Sequence, residues 1–159
     1  MNSELRHAAV AALVELGRSH DHIDRADAGQ GLAALAEMPG ASEPLRSLVL
    51  DHADTFVTRV TAGALLRRGD PAALRVVASA LAVADSNHAD WIHTAIDDVY
   101  GIRSDDRDEA ARLCAEMVRD PDGRVAEGAR QLLAALAGIE RVLRPFRPGT
   151  NADVCTPAG

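Results

Sequence analysis

A spacing of 34 residues recurs along this chain and limits its fold more than any other feature. Starting at Val57 it reaches Trp91 and then Val125, and each opens the same apolar series at steps of four, eight and about eleven. Trp91, Ala95, Val99 and Ile102 correspond to Val125, Ala129, Leu133 and Leu136. Val57, Thr61 and Leu65 match the first three places, and Arg68 stands at the fourth. A weaker copy, Asp24, Ala28, Leu32 and Leu35, begins 33 residues before Val57. Steps of three and four place side chains on one helix face, so every copy reads as an amphipathic helix.

A second apolar series follows each copy. Leu45, Leu48 and Val49 come after Pro44; Leu74, Val77, Ala78 and Leu81 after Pro71; Ala110, Leu113, Cys114 and Met117 after Asp106. Between the two helices of the clearest unit, Asp70 is predicted to cap the second while Pro71 fills its first position, where a missing N–H costs nothing. An opening helix is predicted over 3–17, with Ser3 as N-cap, Gly17 as stop, and Leu5, Ala9, Ala12, Leu13 and Leu16 on its buried face. One hairpin cannot bury two apolar stripes by itself, so neighbours must stack and share a continuous core. The expectation is an all-α chain: an α-solenoid of about four hairpins over 1–144 behind an N-terminal capping helix. The aperiodic, proline-bearing segment 145–159 is expected to be a disordered tail.

The segment VTRVTAGALLRRGDPAALRVVASAL, 57–81, carries Ala-Leu near the end of its first helix, then Gly-Asp-Pro, then a second apolar helix; DPDGRVAEGARQLLAAL, 120–136, repeats the Asp-Pro entry and first helix. In this pattern the chain resembles the HEAT-repeat, armadillo-like family over roughly 20–144. The third unit departs from it at Trp91 and the Asp97–Asp98 pair, and the first lacks Gly-Asp-Pro. The resemblance implies a curved scaffold whose second helices line a concave surface that, in most members, holds another protein.

Charge sharpens the choice of partner. The 24 acids and 17 basic residues, all arginine, give a net charge of −7. Residues 85–122 hold 11 acids against 4 arginines, and so carry the whole excess. Nucleic-acid affinity needs cations that displace counterions from phosphates, so DNA or RNA is not an expected partner. A basic protein is, facing Asp85, Asp90, Asp105, Asp106 and Asp108. The competing contact surface is an arginine ladder on the second helices, Arg46, Arg75 and Arg112, since arginine is enriched at protein interfaces. The role expected is that of a non-catalytic adaptor, with an inhibitor or immunity-type protein as its sharper form.

Chemistry-bearing clusters are sparse. His88, Asp90, His93 and Asp97 are the densest metal-type group, but one helix rarely converges three ligands, so pairing of His93 with Asp97 is the reading adopted. His20, Asp21, His22 and Asp24 read as cap and loop residues. Asp97 and Asp98 diverge by about 100° on a helix and form no acid/base pair alone. Trp91 falls on the buried stripe, and Cys114 aligns with Ala78 as a small apolar residue. The alternative to an adaptor is an enzyme or ligand-binding protein with a concave-face pocket near His93, Asp97 and Asp98. No phosphate loop, dinucleotide fingerprint or nucleophile elbow occurs in the sequence, so neither cofactor nor metal is expected. No apolar run approaches the roughly 20 residues of a membrane span. Glu4, Arg6, His7 and Glu15 interrupt any signal-like start, and a cytoplasmic location is expected.

Overall fold

Aspartate starts most of the helices. The computed structural model of the chain describes residues 3–102 and 104–139, which form α1 (Ser3–Leu16), α2 (His22–Ala33), α3 (Ser42–Val49), α4 (Thr55–Arg68), α5 (Pro71–Leu81), α6 (Ser86–Tyr100), α7 (Ser104–Met117) and α8 (Gly123–Gly138). No strand occurs among the described residues. Asp21, Asp54, Asp70, Asp85 and Asp122 each accept a hydrogen bond from an amide in the first turn of α2, α4, α5, α6 and α8. Each such cap is worth about 1 kcal/mol. Pro71 occupies the first position of α5, as the sequence predicts. Gly69 ends α4 in the left-handed region at φ 64°, where it donates to the Leu65 carbonyl; a side chain there would strain the backbone. The tail expected over 145–159, Cys155 included, lies outside the described residues.

Helices α2, α4 and α6 lie side by side, and α3 and α5 pack behind them. One core runs from Val10 to Leu136, and Leu32, Leu45, Leu65, Leu74, Ile92 and Leu132 are almost wholly excluded from water. Contact between α2 and α4 is close because a Cβ at Gly29 would collide with Thr61. The predicted stripes of α3, α5 and α7 are all buried. Arg68, the polar member of its series, donates to the Ala33 carbonyl and pairs with Glu37 and Asp70, so it ties the ends of α2 and α4 together.

Three expectations need correction. First, α1 packs chiefly on α2, turned so that Val10 is buried and Leu13 sits against Gly31, while Leu5 is 61% and Leu16 37% exposed. A helix with one neighbour buries one narrow strip. Second, α6 buries Ile92, Ala95, Ile96 and Tyr100; Trp91 is only half-buried, and Ile102 lies beyond the helix, 67% exposed. Third, equal strides would set α8 beside α6, yet α8 packs mainly on α5 and then on α7. Gly128 accounts for this. An ideal Cβ there would stand 2.8 Å from the Ala78 Cα and closer still to its carbonyl, so the two backbones touch. Helix α8 thus extends the layer of α3 and α5, and α7 is left on the outside.

Candidate interaction surfaces

The arginine ladder survives in part and gains a member. Arg46 of α3 and Arg75 of α5 line a shallow hollow of about 130 Å3 with Ser42, Glu43, Ser79, Asp122 and Arg124. Arg46 is paired with Glu43 and Arg75 with Asp120. Arg112 does not join them. It stands on α7 between Glu109 and Glu116, which together hold its guanidinium firmly charged, and Arg112 in turn holds the Glu109 carboxyl below its usual range. Arg124 was overlooked because the repeat register places α8 in the opposite layer. Its neighbour Asp122 in an Asp-Pro-Asp-Gly entry marks a helix start, but nothing local says which face that start meets.

The acidic residues gather at the junction of α6 and α7. Asp97 and Asp98 lie in the last turn of α6, with Asp105, Asp106, Asp108 and Glu109 in the first turns of α7. All six are exposed. Arginines hold some of them: Arg59 of α4 donates to Asp98 at 2.6 and 3.0 Å, and Arg107 to Asp108 at 2.7 Å. Asp90 and Asp97 are reached by no ion pair among the described residues. Asp85 stands apart as the cap of α6, accepting from the His88 amide and side chain, which keep its carboxyl below the usual range.

Of the alternative pocket residues, Asp98 lines a cavity of about 500 Å3 with Arg67, Arg68, Tyr100, Asp106 and Glu109. His93 and Asp97 stand exposed outside that wall, and the pairing expected between them does not form. Nothing packs on either side chain to orient it. The Tyr100 hydroxyl donates to the Leu66 carbonyl at 2.8 Å, and burial raises its pKa. Burial likewise pushes the Cys114 thiol up to about 11, which leaves little thiolate near neutrality. Among the described residues no group of three or more His, Cys, Asp or Glu side chains is placed to hold a metal ion.

A buried polar hub lies at the other end of the layers. Arg25 of α2 donates to both carboxylate oxygens of Asp51 at 2.7 and 3.2 Å, and to the Ser19 and His20 carbonyls at 3.0 Å. Asp51, in the α3–α4 loop, also accepts from the Ala53 and Asp54 amides. Desolvation pushes the Asp51 carboxyl up, but Arg25 and the two amides outweigh it and leave the group below its usual range. His88 reaches the same loop, with Nε2 3.0 Å from the Asp51 carbonyl oxygen and Nδ1 2.7 Å from the Asp85 carboxylate. The hub joins residues 26 and 37 positions apart, a separation that no periodicity encodes.

No helix among the described residues is long and apolar enough to cross a membrane. No family model, curated protein or solved structure matches the chain.

Proposed function

We propose that the chain is a short HEAT-like array, closed by α8, that serves as a non-catalytic protein-binding adaptor. Its acidic α6–α7 corner covers a basic patch on the partner, as an inhibitor or immunity protein would. The observation that carries this reading is the crowding of six exposed carboxylates into 13 residues on either side of one turn. Those of α7 lie at a helix N-terminus, where the dipole favours them; Asp97 lies at the C-terminal end of α6, where it does not. The position of Asp97 therefore costs the fold a little stability that no ion pair among the described residues returns. The side-by-side order of α2, α4 and α6, with α3 and α5 behind, supports the array reading.

Affinity purification from native cells supplies the partner, and a salt titration of the purified pair tests the surface. Steering by exposed charges is screened over about 8–10 Å at 0.1–0.15 M salt. Affinity should fall steadily as ionic strength rises, and the double change Asp97→Asn, Asp105→Asn should slow association about three- to tenfold. Binding that neither salt nor that variant alters would contradict the proposal.

A further inference from the structure

We propose that His88 is a proton-operated latch between the first turn of α6 and the α3–α4 loop. Its two ring nitrogens face two acceptors: the Asp85 carboxylate 2.7 Å from Nδ1 and the Asp51 carbonyl oxygen 3.0 Å from Nε2. A neutral imidazole carries one N–H and cannot donate to both; the imidazolium carries two and can. The geometry is therefore satisfied only when the ring is protonated.

The ionisable groups facing His88 are Asp85, at the head of its own helix, and Asp51 across the contact with its partner Arg25 of α2. His52 and Asp54 flank Asp51 in the loop. Desolvation of the largely buried ring works against the charge, but the Asp51 carbonyl and the Asp85 carboxylate outweigh it, so the pKa is raised above its ordinary value. A group whose pKa is higher folded than unfolded stabilises the fold most below the unfolded value, about 6.5. That contribution is lost as pH rises through the folded value. The latch is closed in mild acid and opens above neutrality, when the ring gives up one of its two bonds.

The latch has consequences beyond α6. Asp51 is also the carboxylate that Arg25 holds, and its loop walls a polar cavity of about 470 Å3 with Arg18, Ser19, His20, Arg25 and Ser47. Loosening the loop frees one wall of that cavity and the N-terminal end of α6 together.

The test follows the His88 ring by NMR through a pH titration of the full chain, alongside amide exchange corrected for intrinsic base catalysis. In the wild type the His88 midpoint should lie above about 6.5, and the His88 and Ala89 amides should exchange faster once it is passed. Asp85→Asn keeps a competent helix cap but removes the charge, and should lower that midpoint by about half to one unit, roughly a three- to tenfold loss of proton affinity. His88→Ala should abolish the pH step in exchange without shifting the titration of His52. A wild-type midpoint at or below about 6.5, or one that Asp85→Asn leaves in place, would overturn the latch. So would an exchange step that persists in His88→Ala.

Discussion

Helices α2 to α5 and helices α6 to α8 obey the same repeat yet pack differently. In the first region each helix lies beside its counterpart from the preceding hairpin, α4 on α2 and α5 on α3. In the second, α6 continues the layer of α4, but α8 leaves it and lies on α5. A repeat specifies which positions are apolar; it does not specify which neighbour they meet. The neighbour is chosen by how closely two backbones can approach. Helix α5 presents Ala73, Val77, Ala78 and Ala80, all buried, and α8 brings Gly128 to meet them. Helix α7 opens with Ser-Asp-Asp-Arg-Asp-Glu and buries only a narrow strip, which suits it to the outer place. The consequence for function is direct: placing α8 on α5 brings Arg124 to Arg46 and Arg75, and leaves the acidic α6–α7 corner exposed.

The largest expected effect lies in the first region. Arg25→Ala would strand Asp51 in its buried site, and should cost about 3–5 kcal/mol in urea unfolding. Because the folded-state pKa of Asp51 is depressed, its contribution is present above about pH 4 and is lost as pH falls toward the folded value. Acid unfolding of Arg25→Ala should therefore depend less steeply on pH below 4 than that of the wild type. Second in size is Gly128→Ala, expected to cost about 3 kcal/mol because backbone meets backbone and no side chain can yield. Gly123→Ala, whose Cβ would meet nothing, should stay within about 0.5 kcal/mol and serves as the control. Equal losses at the two glycines would break the contrast between the regions.

Gly29→Ala probes the matching contact between α2 and α4. Its new methyl collides with the Thr61 side chain rather than with backbone, so rotation of Thr61 should limit the loss to about 1–2 kcal/mol. The smallest effect is a gain. The hydroxyls of Thr58 and Thr61 are buried without a hydrogen-bond partner, and Thr58→Val removes one of them at nearly constant volume. Stability should rise by about 1 kcal/mol, read as a higher urea midpoint at unchanged slope.

Local chemistry was legible in the sequence and long-range choice was not. Asp70 with Pro71 announces the start of α5, and the series Leu74, Val77, Ala78 and Leu81 names its buried face, because a cap and a stripe are both written within one helix. The face of α1 was misjudged because both sides of it are apolar and only the place of α2 selects Val10 over Leu5. Trp91 shares the register of Val57, but α4 is covered by α2 and α6 whereas α6 has no equivalent neighbour on its far side among the described residues. Of the candidate surfaces, the acidic stretch could be counted directly, since its residues are consecutive. Arg112 and Arg124 exchanged places in the ladder because α7 and α8 exchanged layers. The hub of Arg25, Asp51 and His88 left no trace at all, being assembled from a helix, a loop and a second helix that only folding brings together.

The position of α8 decides which surfaces the chain can offer, and nuclear Overhauser contacts at Gly128 report it directly. Cross-peaks from the Gly128 α-protons to Ala78 are predicted. Cross-peaks from Gly128 to Ile96 or Val99 of α6, with none to Ala78, would contradict this packing and the arrangement of surfaces drawn from it.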